Sequence, residues 1–216
     1  MLKRIIAVLG DYYHPEEYSK ASLHQALRLI HEKEKVECIE IKASQLKEEL
    51  INQPDAVILF KEDRVNPTEE VVDTWMTAEI GEAITRYVDQ GGGWLAWHSG
   101  LASYQVESSY VQMLKGSFDY HPLNHPQVKY TDVQGNHPFG PISFEIKDEH
   151  YFVTVNEAET TIFLRSDSDE GHSVAGWYHE FGKGKVCCLA PAHNKEGLLD
   201  QEFTQLLAKT IEWVCQ

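Results

Sequence analysis

Three features of this 216-residue chain predict an α/β fold: a mostly parallel sheet with helices on both faces. Continuous apolar runs recur at Ile5–Leu9, Ala56–Phe60 and Trp94–Trp97, as expected of strands buried on both sides. Segments of helical period separate them, so the chain reads as repeated β-α units whose right-handed crossovers lay strands side by side in parallel. The third feature is GGGWLAWHSG at 91–100, a glycine turn and a short strand ending in His98-Ser99-Gly100 where strand should pass into helix. The expected architecture is three-layer and flavodoxin-like.

The elements follow in order. Strand one ends at Gly10, after which Leu23, Ala26, Leu27 and Ile30 recur on one helical face. Val36 to Ile41 alternates well enough for a second strand, and Ala56 to Phe60, after Pro54-Asp55, makes a third. Ile80, Ala83, Ile84, Tyr87 and Val88 share a face of a helix over Glu79–Gln90, which Gly91 ends. Strand four then runs from Trp94 to His98. From Gly116 to His150, short β-prone pieces broken by His-Pro pairs predict an irregular, β-rich excursion near the sheet's edge. Thr161–Arg165, Ser173–His179 and Lys185–Leu189 read as later strands, the last two joined by a hairpin turn at Phe181-Gly182-Lys183-Gly184. Phe203, Leu206, Leu207, Thr210, Ile211 and Val214 mark a closing helix. No repeat, low-complexity tract or linker interrupts this pattern, so residues 1–216 read as one domain.

Composition narrows the function. With 34 acidic against 19 basic residues the net charge is −15, which repels nucleic acid and anionic lipid surfaces. No run approaches the roughly 18 apolar residues of a membrane span. The residues MLKRIIAVLG meet Asp11 too soon for a signal peptide. Cys38, Cys187, Cys188 and Cys215 form no C-x-x-C pair, which fits a reduced, cytoplasmic protein. The glycines at 91–93 precede a strand, whereas phosphate loops follow one, so no nucleotide site is expected.

His98 is the residue to explain. At the carboxyl edge of a parallel sheet, where open α/β folds place ligands, an imidazole can move a proton or bind a metal. The small residue two positions later, Gly100, fits a crowded strand-to-helix elbow. The competing reading is a buried histidine that merely fixes the turn. Ser99 reads as a cap for the following helix. His193, after the strand ending at Leu189, should emerge at the same edge. The pre-proline residues His121 and His137 are biased to extended geometry; His121 reads as functional and His137 as a turn marker. Asp11, Tyr12, Tyr13 and His14 follow strand one, where aromatic and polar side chains suit a sugar. Asp148-Glu149-His150-Tyr151 sets carboxylates beside an imidazole and a phenol, the ingredients of acid-base work. Asp148 reads as a turn former.

Several segments together resemble the ThuA-like (trehalose-utilisation) family, whose fold is like that of class I glutamine amidotransferases: GGGWLAWHSG at 91–100, LKGSFDYHP at 114–122, NHPF at 136–139, DEHY at 148–151 and FGKGKVCCLAPAH at 181–193. The resemblance implies carbohydrate metabolism as the setting and Glu149 and Trp75 as site residues. It places His98 where the wider fold carries a nucleophilic cysteine, which argues against glutaminase chemistry. A glutaminase using Cys187 or Cys188 is weak, since both sit within an apolar strand.

The resulting expectation is an enzyme acting on a sugar or keto-sugar by acid-base or metal-assisted chemistry. His98, Glu149, His121 and His193 would be catalytic, and Asp11, Tyr13, His14, Trp75, Ser99 and Tyr151 would bind substrate. A zinc or manganese ion, if bound, would draw on His14, His98, His121, His193 and Glu149, although no H-E-x-x-H or C-x-x-C signature is present. The alternative is a non-catalytic carbohydrate-binding or regulatory protein. A homo-oligomer is expected, as for many such enzymes.

Overall fold

In the computed structural model, which describes residues 2–31, 35–133, 135 and 137–216, the apolar runs become the centre of one nine-stranded sheet. Asn136, first residue of the NHPF segment, lies outside the described residues. Strands β1 (Lys3–Leu9), β2 (Val36–Glu40), β3 (Ala56–Phe60) and β4 (Gly93–Trp97) alternate with helices α1 (Glu16–His31), α2 (Leu46–Ile51) and α3 (Ala78–Asp89). After α4 (Ser109–Leu114) come β5 (Gly116–Tyr120), β6 (Gln127–Asp132), β7 (Ser143–Lys147), β8 (Phe152–Val155), β9 (Thr161–Ser168), β10 (Gly171–Phe181) and β11 (Gly184–Leu189), then α5 (Lys195–Leu198) and α6 (Gln201–Val214).

The sheet runs β2-β1-β3-β4-β11-β10-β9-β6-β7, and β5 pairs with β8 apart from it. The first five strands in that order are parallel. The remaining pairings are antiparallel. The expected mostly parallel sheet is therefore a mixed one. The excursion after Gly116 is likewise more regular than its His-Pro punctuation suggests, because β6 and β7 extend the main sheet beyond β9. Val128 and Tyr130 on β6 alternate with exposed neighbours, the pattern of an antiparallel strand with one buried face.

β3 and β4 are buried at every residue. Trp94, Trp97 and Trp177 are among the largest fully buried side chains. Each large apolar side chain taken from water contributes about 1.5–3 kcal/mol, so this centre is the rigid part of the scaffold. The β10–β11 hairpin turns at Gly182-Lys183, with Gly182 at φ +58°. Helix α1 packs with α5 and α6, and α3 packs with α2 and α4. No helix among the described residues is long and apolar enough to cross a membrane.

Candidate metal centre and adjoining pocket

The carboxyl ends of β1, β3, β4 and β11 deliver Asp11–His14, Glu62, His98 and His193 to one edge of the parallel sheet. His98 sits at φ +46°, a left-handed conformation uncommon outside glycine. Gly100 makes the bend possible: a Cβ there would lie 2.2 Å from the Leu59 carbonyl oxygen. Two rings then tie the elbow to the segment before His193. Trp97 Nε1 donates to Pro191 O at 2.8 Å, and His98 Nδ1 donates to Ala190 O at 2.6 Å. A carbonyl can only accept, so His98 Nδ1 carries a proton and Nε2 is the nitrogen left for other partners.

That nitrogen faces a cluster. One donor atom each from His14, His98, Glu149 and His193 lies within 4.8 Å of the others. His98 Nε2 is 3.4 Å from His193 Nδ1 and 3.6 Å from Glu149 Oε2, which is 3.3 Å from His193 Nδ1. Four ligands about 2.1 Å from a tetrahedral ion stand roughly 3.4 Å apart, so these spacings suit a shared cation. His14 is oriented in the same way as His98. Its Nδ1 donates to Asp11 Oδ1 at 2.6 Å, and its buried Nε2 has no hydrogen-bond partner among the described residues. A carboxylate or carbonyl on the far nitrogen is the usual arrangement behind a metal-binding histidine.

The cluster's own imidazoles and carboxylates set one another's charge. Burial raises the Glu149 carboxyl, but the hydrogen bond and charge of His98, with His193 and His121, bring it down to about 2. Burial and the neighbouring His98 charge lower His193 to about 3. For His98 burial works against the charged form, yet Glu149 and Asp148 outweigh it and the pKa rises. Asp11 is held at about 2, since His14, the Glu62 N–H and Ser99 overcome its burial.

The remaining expected residues divide. His121 Nε2 lies 3.9 Å from Glu149 Oε1, at the rim of the cluster. Tyr151 stacks on His98 with ring centroids 4.3 Å apart. Tyr13, His121 and Tyr151 line a cavity of about 240 Å³ that also reaches His14 and Glu149. Asp11, Ser99 and Trp75 do not line it. Asp11 instead clamps His14 and accepts the Glu62 N–H at 3.0 Å. Trp75 Nε1 donates to Glu62 O at 3.0 Å. Ser99 is not a helix cap: Trp97 precedes the short 3-10 turn at His98–Leu101, and the Ser99 hydroxyl is buried beside Asp11. Asp148 is not a turn former but a fully buried carboxylate, accepting the His193 N–H at 2.6 Å and the Tyr130 hydroxyl at 2.9 Å. His137 packs against Phe139 and Phe163, near Asp132. His150 bonds Ser166 and Ser168. Cys187 and Cys188 are fully buried in β11, where burial pushes both thiols up.

Two residues were missed by sequence reasoning. His125 Nε2 lies 3.5 Å from Glu149 Oε1, and its His125-Pro126 pair repeats the signal that singled out His121. Glu62 follows β3 by two residues, the same strand-end position that drew attention to His98.

Solved structures share this fold at low identity. A protein described as ThuA-like from Parabacteroides merdae superposes with a TM-score of 0.75 at 15% identity, covering 100% of this chain and 91% of that one. A cytoplasmic protein of Salmonella typhimurium LT2 gives 0.70 at 13%, covering 98% and 99%. The β-galactosidase of Bacillus circulans gives 0.63 at 14%, covering 96% of this chain but 30% of the enzyme. No curated protein matches the sequence significantly. The model of the ThuA family, described as trehalose utilisation, matches residues 7–214, and the chain belongs to that family.

Proposed function

We propose that this chain is a metal-dependent enzyme acting on a sugar or keto-sugar, with His14, His98, Glu149 and His193 holding one divalent cation. The observation that carries the reading is the set of 3.3–3.6 Å spacings among His98, Glu149 and His193. With it go two histidines whose other nitrogen is already committed to an oxygen. Three imidazoles and a carboxylate suit zinc, with manganese as the alternative. An ion held there would supply Lewis-acid polarisation of a carbonyl or acidification of bound water.

The chain's own residues supply the rest. Asp11 and Ala190 fix the tautomers of His14 and His98. Asp148 anchors the His193 backbone by accepting its N–H. His121 and His125, beside Glu149 Oε1 and a quarter to a third exposed, are placed to pass protons between the cluster and solvent. The family's description and the aromatic pocket support a carbohydrate substrate. The scaffold reads as three-layer and flavodoxin-like, supported by the β2-β1-β3-β4 order, which with right-handed crossovers sets α1 opposite α2 and α3. The cysteines, none of them in a disulfide among the described residues, support a cytoplasmic location.

The test is turnover of a panel of keto-sugars and disaccharides with and without added zinc or manganese. Metal-dependent turnover that His98→Ala abolishes, while sugar affinity is nearly kept, supports an enzyme. Sugar binding with no turnover under any metal refutes it in favour of a non-catalytic binding protein.

A further inference from the structure

A second cavity, of about 300 Å³, lies between the loop after β3 and the first turns of α3 and α4, and it shares no lining residue with the one beside the metal centre. The same two segments nevertheless serve both. Glu62 and Ser103 line the cavity at the cluster, while their neighbours Asp63 and Tyr104 line this one. Asp63 is 3% exposed, and its N–H goes to Ala102 O at 3.3 Å, its carbonyl takes the Trp75 N–H at 3.0 Å and its Oδ1 takes the Met76 N–H at 2.9 Å. Oδ2 is left over. It has no hydrogen-bond partner among the described residues and is not one of the unpartnered atoms sealed inside the protein, so the accessible remnant of Asp63 includes this oxygen at the cavity wall.

A buried carboxylate is costly unless a cation pairs with it. No lysine or arginine lines this cavity, and the Lys61 ammonium, two residues before Asp63, is committed to Gly10 O at 3.2 Å. Two further carboxylates, those of Glu82 and Glu107, stand at the cavity on exposed side chains. Helices α3 and α4 also open here through Ala78 and Ser109, but about half a positive charge at each N-terminus does not offset three carboxylates. Burial first, then the charge of Glu62, lifts the Asp63 carboxyl to about 6. The missing partner is a positive group. A bare metal ion does not fit, because the one place where three or more ligating side chains converge among the described residues is the His14 cluster. The other walls are rich in carbon, with Met76 and with Tyr104, whose hydroxyl is committed to Lys61 O at 2.5 Å. A thioether and an aromatic ring suit the skeleton of an organic cation.

We propose that this cavity is a second ligand site, for a small organic cation whose ammonium or guanidinium group pairs with Asp63 Oδ2 while its carbon skeleton lies against Tyr104 and Met76. Its volume is at the lower end of small-molecule pockets, which begin near 300 Å³, so the ligand is compact. Exposed Glu82 and Glu107 draw such a cation in. The site stands apart from the metal-dependent reading, since none of the four donors lines it.

The experiment is an NMR titration of the purified protein with butylammonium, putrescine and agmatine, and with 1-butanol as the uncharged counterpart of the first. Salt at about 0.15 M screens the general attraction of cations to a chain of net charge −15. At least one of the three cations binds saturably, one per chain, with a Kd below about 5 mM, and it moves the amide signals of Asp63, Met76 and Tyr104. 1-Butanol binds at least about 10-fold more weakly than butylammonium, and Asp63→Asn, which keeps an acceptor for the Met76 N–H, weakens cation binding about 10-fold or more. Absence of saturable binding by all three cations, equal binding of 1-butanol, shifts spread over the acidic surface instead of the cavity, or wild-type affinity in Asp63→Asn overturns the site. Should that variant not fold, the shift map and the comparison with 1-butanol on the wild type decide.

Discussion

Replacing Gly100 by alanine tests whether the His98 elbow is built on close backbone contact. The new Cβ would stand 2.2 Å from Leu59 O and 3.1 Å from Leu59 C. A carbon and a carbonyl oxygen need roughly 3.2 Å or more, so the elbow and β3 must part by about 1 Å. β3 is buried at every residue and paired with β1 and β4, so it has little room to yield. Overpacking of this kind costs about 1–3 kcal/mol, and backbone contact sets it at the upper end. For a chain of this size 3 kcal/mol corresponds to a Tm lowered by about 6–12 °C. The same displacement moves His98 relative to His193 and Glu149, and disturbing the support of a metal ligand typically costs about 10- to 100-fold in affinity. Denaturant unfolding gives the first quantity and zinc titration the second. A variant within 0.5 kcal/mol of wild type (~0.5 is the usual surface range) that binds metal equally well would refute the reasoning.

Other outcomes follow from the same contacts. Asp11→Asn puts an amide where Asp11 accepts protons from both His14 and the Glu62 N–H, so one of them meets a donor. Metal affinity measured by competition with a chelator should fall about 10- to 100-fold, and unchanged affinity would remove Asp11 as a positioning residue. Asp63 is raised from 3.8 to about 6, chiefly by burial and also by the charge of Glu62. The native state therefore keeps this proton where the unfolded chain has lost it, and stability from this group falls as pH rises from about 4 to 6. Asp63→Asn, which keeps an acceptor for the Met76 N–H, should stabilise by about 2–3 kcal/mol at pH 7 and by little near pH 4. A gain independent of pH would contradict this assignment. Cys187 and Cys188, fully buried with raised thiols, should resist iodoacetamide at pH 8 until the protein unfolds, as followed by mass spectrometry.

What could be read from the sequence was local. The β1, β3 and β4 runs announce themselves because strands buried on both faces need no polar alternation, and Gly100 two positions past His98 betrays the elbow. The antiparallel half was harder to see. β6, β7 and β9 alternate buried and exposed residues, and that pattern does not state which neighbour a strand pairs with. Convergence was the least legible of all. His98 and His193 are 95 positions apart, and Glu149 joins them from the segment after β7, where its neighbour Asp148 accepts the His193 N–H. Asp148 looks like a turn residue until Tyr130 and the His193 N–H are found on it. Glu62 was readable by the strand-end logic applied to His98, yet a carboxylate after Lys61 looks like an ordinary surface residue.

The central claim is that four side chains form one cation site, and cobalt(II) titration of metal-stripped protein tests it most directly. Wild type should take up one equivalent with the intense visible absorption of a four-coordinate nitrogen and oxygen site, and His14→Ala, which retains His98, Glu149 and His193, should bind at least about 100-fold more weakly with a weaker spectrum. Absence of stoichiometric uptake, or uptake that His14→Ala leaves unchanged, would contradict the claim.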